Sequence, residues 1–245
     1  MDTAFTAVTT ATHAAAISWS AGKDSCLALL RARDAGLDVR SFLTMLDPGG
    51  LSKSHALPSD LIAAQVQALG GLWWPAEAGP GEYAQVFAAQ LRALRDAGHR
   101  HLVFGDIDLQ AHRDWLEPAC AAAGLQAVFP LWGMARSAVA AEVIARGIRA
   151  QLVCVDTRWL DDSFCGADYD AALLARLPVG VCPAGEGGEF HSFVWDAPGF
   201  AAPLPVRPGT LRRVTSAPPL SPTTLVLQTP WLTTTAPPDT AGAPA

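Results

Sequence analysis

Over the first two thirds of the chain, short apolar runs alternate with segments of helical periodicity, and this rhythm constrains the fold more than any single residue. Residues 14–19, 39–46, 72–75, 101–104, 127–130 and 150–155 each read as a short buried strand. Between them, helices are expected from about Cys26 to Gly36 and over 59–69, 81–97, 111–123 and 135–146, several closed by a glycine such as Gly124 or Gly147. Strands that alternate with helices in this way predict an α/β fold with a doubly wound parallel sheet covered on both faces. Ligands of such sheets bind over the carboxyl ends of the strands, where the strand order reverses. The strand-to-helix loops are therefore the places to look for chemistry.

After Asp156 the rhythm breaks. Residues 160–177 read as a loop with a short helix, 178–188 are rich in Gly and Pro, 189–195 look extended, and 211–215 and 224–228 are weak strand candidates. The expected organisation is a disordered start (1–13), a nucleotide-binding domain (14–156), a smaller substrate-binding region (157–232) and a disordered Thr/Ala/Pro-rich tail (233–245).

Composition excludes several classes. Half of the 245 residues are hydrophobic and 16% are charged, which is a folding composition rather than a disordered one. A net charge of −6 provides no basic footprint for long nucleic acid. No run of 18 uncharged apolar residues exists, and the first 13 residues, with Asp2 and no Lys or Arg, do not read as a secretory signal. The five cysteines (Cys26, Cys120, Cys154, Cys165, Cys182) form no Cys-x-x-Cys pair, so neither a zinc ribbon nor a disulfide framework is expected. These readings together predict a reduced cytoplasmic protein without a membrane span. Of 17 cationic side chains only Lys23 and Lys53 are lysines, which draws attention to the first.

Lys23 lies in Ser20-Ala21-Gly22-Lys23-Asp24-Ser25, between the first strand and the first helix. Small side chains there let backbone N–H groups approach a phosphate, the helix dipole favours negative charge, and Lys23 adds a point charge. The segment is not a Walker A loop, since Lys23 precedes Asp and Ile17 stands where a glycine should. It also lacks the three spaced glycines of a dinucleotide fingerprint. The plainer reading is an ordinary turn in which Asp24 or Ser25 caps the helix.

The segment resembles the PP-loop of the ATP pyrophosphatases, Ser-Gly-Gly-x-Asp-Ser, with Ala21 replacing the first glycine. The resemblance implies a HUP-like fold and cleavage of ATP between its α- and β-phosphates, with AMP passed to a substrate oxygen. Ser20, Ala21, Gly22, Lys23, Asp24 and Ser25 are then the ATP-binding set. Amides and the Lys23 ammonium stabilise the leaving pyrophosphate, and Asp24 is a Mg²⁺ ligand.

Three later blocks narrow the family: Phe104-Gly-Asp-Ile-Asp108 followed by Arg113, Trp115 and Glu117; Phe129-Pro-Leu-Trp132 followed by Arg136; and Gly185-Glu-Gly-Gly-Glu-Phe-His-Ser192 followed by Phe193 to Pro198. With Leu160-Asp-Asp-Ser-Phe-Cys-Gly166, they resemble the diphthine–ammonia ligase family over residues 14–200, closest to its bacterial adenine nucleotide alpha hydrolase-like branch. Such ligases adenylate a carboxylate, and ammonia then displaces AMP to leave an amide. The implied partners are ATP with Mg²⁺, free ammonia and a carboxylate substrate; a homo-oligomer stays open.

Lys23, Asp106, Glu186, Glu189 and His191 are the expected catalytic set, with Asp24 and Asp106 as metal ligands and Arg136 as a further ATP contact. Arg113 could likewise grip phosphate or the substrate carboxylate, and His55 could cover the nucleotide, but several of these residues have plainer alternatives. Arg113 and Arg136 could be surface ion pairs, Asp108 a helix cap, His191 a hydrogen-bonded structural residue and His55 a solvated loop residue. Trp73, Trp74 and Trp132 read as core or pocket wall. Lys23→Ala is expected to abolish turnover but spare the fold, on the view that Lys23 is an exposed loop lysine.

The chain departs from the family pattern in three places. Ala184 stands where a cysteine often precedes Gly-Glu, Phe190-His191-Ser192 replaces Tyr-Glu-Thr, and Asp196-Ala197-Pro198 replaces Asp-Gly-Pro. The acceptor is accordingly open between diphthine and a small carboxylate. Two other readings stand beside the ligase: a tRNA-thiolating enzyme, which would need paired catalytic cysteines and a basic surface, and a sensor that binds adenine nucleotide without turnover.

Overall fold

A strand at the centre of a covered sheet must be apolar on both faces, and Ala15, Ala16 and Ile17 of β1 (His13–Ser18) are all fully buried. The computed structural model describes residues 13–53, 55–215 and 222–234; apart from His13 and residues 233–234, the expected loose ends lie outside them. β1 is the middle of a five-stranded sheet in the order β3-β2-β1-β4-β5, with β2 (Leu37–Leu46), β3 (Leu72–Glu77), β4 (His101–Val103) and β5 (Gln126–Val128). Every pairing in it is parallel. The order reverses between β1 and β4, which places the switch point at the β1 carboxyl end.

Five helices cover both faces as the rhythm predicts. α1 (Lys23–Asp34), α2 (Ser59–Ala68) and α5 (Arg136–Ala145) bury Leu27, Ile62 and Val139 with Ile17 and Phe42. α3 (Tyr83–Asp96) and α4 (Gln110–Ala122) bury Phe87, Leu91 and Leu116 with Ala16, Leu43 and Leu102 on the opposite face. No helix among the described residues is long and apolar enough to cross a membrane.

The sixth expected strand forms, as β6 (Arg149–Asp156), but not in the parallel sheet. It pairs antiparallel with β7 (Phe190–Asp196) in a second sheet of order β7-β6-β10-β9. The remaining strands are β8 (Val206–Arg207), β9 (Arg212–Thr215), β10 (Thr224–Leu227) and β11 (Trp231–Leu232), with β8 and β11 paired. An apolar run specifies burial but not the partner strand, so its local pattern holds no trace of this switch. The short helix expected within 160–177 is α6 (Ala171–Arg176), capped by the Asp170 carboxylate, which accepts from the Leu173 amide at 2.8 Å. The second sheet packs on the α1 face, since Phe190, Phe193 and Val194 share a core with Leu27 and Leu29.

Candidate active site

The turn after β1 is held by its own small side chains. The Gly22 amide donates to Ser20 Oγ at 3.3 Å, Ser20 Oγ donates to Ser25 Oγ at 3.1 Å, and Ser25 Oγ donates to the Gly22 carbonyl at 2.9 Å. Gly22 is the N-cap of α1 and no side chain caps the helix, so neither Asp24 nor Ser25 acts as the cap of an ordinary turn. Ala21 occupies the left-handed region at φ 68°, which explains why the resembling motif has glycine there. Gly105, just after β4, comes so close that a Cβ would lie 2.9 Å from the Ser25 nitrogen. A side chain at Gly22 would meet His55 Cε1 at 2.6 Å.

Both sheets clamp this turn. The Lys23 amide donates to Ser192 Oγ at 3.1 Å and the Val194 amide to the Ala21 carbonyl at 3.0 Å. Gln65, wholly buried, accepts from Trp19 Nε1 at 2.9 Å and donates to the Ala21 and Val194 carbonyls at 3.1 and 2.5 Å. The first-turn amides of Asp24 and Ser25 have no protein acceptor among the described residues, as helix geometry requires of free N-terminal N–H groups.

Lys23 is not the exposed loop residue that was expected. It opens α1, is 2% exposed, and its Nζ donates to both Asp24 carboxylate oxygens at 2.8 and 3.0 Å and to the Ala184 carbonyl at 2.5 Å. The ammonium also lies 5.4 Å from the Tyr169 ring centre and 5.5 Å from that of Phe190. The expected neutrality of Lys23→Ala toward folding fails on this geometry. The contact also bears on Ala184: what this position supplies to Lys23 is a backbone carbonyl, available from any residue.

A cleft of about 810 Å³ opens over the carboxyl end of β1. It brings together Ser20, Lys23, Asp24, Ser25, Asp106, Glu186 and His191 from the expected set. Ala21 and Gly22 shape the turn behind it. Glu189 and Arg136 do not line it. Glu189 is 3% exposed and faces the loop that precedes it, accepting from the Cys182 amide at 3.0 Å and the Gly187 amide at 2.8 Å. Its carboxylate is the centre around which that loop folds. Arg136 grips Asp108 through two bonds of 2.7 and 2.9 Å, which holds the Asp108 carboxyl below its usual range. Arg113 stacks on Trp132, 4.7 Å from its ring centre, and bonds Glu117 at 2.7 Å.

Electrostatics single out Glu186. Burial, reinforced by Asp24, pushes its carboxyl up to about 7 against the opposing pull of Lys23. A carboxyl group poised near neutrality can both take and return a proton. His55 and His191 face each other with ring centres 4.7 Å apart. Burial and the nearby Lys23 charge lower His191 to about 4, and burial with His191 and Lys23 lowers His55 well below the ordinary range. His55 is thus a neutral wall of the cleft, not a solvated loop residue.

Several cleft residues escaped the sequence reading. His112 Nδ1 lies 2.9 Å from Asp106 Oδ1, and Tyr83 and Phe87 line the same cavity. No motif marks them; only the placement of α3 and α4 beside β1 and β4 does. Asp24 and Asp106 are carboxylates open to the cleft, and no group of three or more His, Cys, Asp or Glu side chains among the described residues could hold a metal. Two oxygen donors suit Mg²⁺, which keeps waters and phosphate oxygens for its other positions.

Comparison with known families adds two matches. Residues 13–127 match the diphthamide synthase N-terminal domain, and residues 136–213 match the diphthamide synthase C-terminal domain. The first match ends within β5 and the second begins at the first residue of α5, close to where the parallel sheet ends. Among curated proteins, no match was found.

Proposed function

This chain belongs to the diphthine–ammonia ligase family, which has a PP-loop fold and the character of an ATP-dependent ligase, and we propose its reaction from that membership: adenylation of a carboxylate, then amide formation with ammonia. The observation that carries the proposal is one cleft holding both the Ser20–Ser25 turn and Glu186, a carboxyl near neutrality.

In the first step a substrate carboxylate oxygen attacks the α-phosphorus, the bond to the β-phosphate oxygen breaks, and pyrophosphate leaves. In this reading the Asp24 and Ser25 amides at the α1 dipole, with Lys23, take up the charge on that leaving group. Asp24 and Asp106 would hold Mg²⁺, which supplies further neutralisation of phosphate charge. In the second step the ammonia nitrogen attacks the acyl carbon, the carbon–oxygen bond to AMP breaks, and the ionised Glu186 takes the proton released. Asp106, paired with His112, orients the entering groups.

All five cysteines are buried, which favours this ligase chemistry over sulfur transfer. The test is release of AMP and pyrophosphate from Mg²⁺-ATP and ammonia over a panel of carboxylic acids. Substrate-dependent release is the expected outcome. Tight ATP binding with no release and no pyrophosphate exchange across the panel would leave a nucleotide sensor instead.

A further inference from the structure

One wall of the cleft takes no part in this chemistry. Tyr83 and Phe87, one turn apart on α3, stack with ring centres 5.9 Å apart and planes 11° from parallel. Trp115 on α4 completes the wall, 5.3 Å from Phe87 and 5.9 Å from Tyr83. Phe87 is buried beneath, whereas Tyr83 and Trp115 are 39% and 41% exposed, and Leu109 at the start of α4 is 47% exposed. All four line the cleft. Apolar ring surface left to water is unfavourable, and inside a concave site it marks a place where a ligand covers it.

We propose that Tyr83, Phe87 and Trp115 form the stacking subsite for the base of the bound nucleotide, an assignment that rests on the phosphate-cradle reading. The layering of the fold selects this occupant. The cradle and the Glu186 loop belong to the core on the α1 face, where the second sheet packs. The aromatic wall rises from the core of α3 and α4 on the opposite face. A nucleotide anchored by its phosphates at α1 extends across the carboxyl edge of the sheet and lays its ring on the wall. An acceptor brought by the second sheet stays on the α1 side, beside Glu186. Stacking suits the purpose because a π-face binds a purine without hydrogen-bonding its edge.

The test is calorimetric titration of the full chain, with Mg²⁺, by ATP and by inorganic tripolyphosphate, which has the charge but no ring. The unmodified protein should bind ATP at least about tenfold more tightly, and Tyr83→Ala and Trp115→Ala should each weaken ATP by about tenfold or more. Tripolyphosphate binding should be unchanged in both, and Trp115→Phe should retain most of the ATP affinity. Alanine variants that bind ATP like the unmodified protein overturn the proposal, as does an equal loss of both ligands. A measurement on the unmodified chain guards against misfolding of the variants: tryptophan fluorescence should respond to ATP and adenosine but not to tripolyphosphate. An identical response to ATP and tripolyphosphate removes the wall and leaves the cradle. Binding of adenosine without tripolyphosphate removes the cradle and leaves the wall, and binding of neither removes both.

Discussion

A buried ammonium recovers its lost hydration only through the partners that surround it, and removing it strands those partners. For Lys23 these are the Asp24 carboxylate, the Ala184 carbonyl and the faces of Tyr169 and Phe190. Lys23→Ala should therefore cost about 1–3 kcal/mol of stability as well as activity. Urea unfolding measures it, and an unchanged midpoint would mean that water replaces the ammonium at no cost. Glu186 carries a pH signature. Folding keeps its proton up to about pH 7, whereas an ordinary glutamate loses it near 4.5. Its contribution to stability is full below pH 4.5 and declines as pH rises toward 7. His191, lowered to about 4, works in the opposite sense, its contribution growing between about pH 4 and 6.5, and the lowered His55 adds to that trend. The two effects offset each other in the unmodified protein, so the informative quantity is a difference. Glu186→Gln should gain stability relative to it as pH rises from 4.5 to 7, and a flat difference would mean that Glu186 ionises normally. Activity should rise through about pH 7 as Glu186 ionises, and the variant should lose both that limb and most of its turnover.

The loop from Cys182 to Gly188 has little apolar content to order it and is folded instead around the Glu189 carboxylate. Two of its members face the cleft: the Ala184 carbonyl accepts from Lys23, and Glu186 lines the cavity. Glu189→Gln keeps one acceptor but turns an N–H donor toward an amide that is itself a donor. The expected result is a loss of about 1–3 kcal/mol in stability and a tenfold or greater fall in kcat. The Glu186 limb of the pH profile should move with it; a fall in kcat with that limb unmoved would point to direct contact between Glu189 and substrate. The contrast between Glu186 and Glu189 shows where the sequence stopped being legible. Both lie in one glycine-rich turn, and composition cannot say which faces the cleft and which faces the loop. The turn between β1 and α1 was legible because a run of small residues between a strand and a helix has few structural uses. So was the parallel sheet up to β5, because side-chain period follows from backbone geometry. The partner of β6 and the aromatic wall were not, since both depend on how distant elements dock.

At the scale of the whole molecule, the two sheets meet on the turn that would hold phosphate. Ser192 and Val194 of β7 reach Lys23 and Ala21, and Gln65 of α2 ties Trp19, Ala21 and Val194 together. A site assembled this way exists only while both parts are docked, so ligand affinity and docking are the same equilibrium seen from two sides. A shared buried network of this kind should also make the parts unfold together, in one transition followed equally by far-ultraviolet circular dichroism and tryptophan fluorescence. Gln65→Ala tests the point. It leaves the buried Trp19 N–H without its acceptor and removes a donor from two buried carbonyls, at a cost of about 3 kcal/mol or more. Because the lost bonds join the sheets, the weakened contact should give way first. The two probes should then separate, with the second sheet melting at lower denaturant and the apparent slope falling. ATP should bring the transitions back together, since it binds only the docked form. Coincident probes with a full slope would show that apolar contact between α1 and β7 alone keeps the parts cooperative, and that Gln65 serves only the turn.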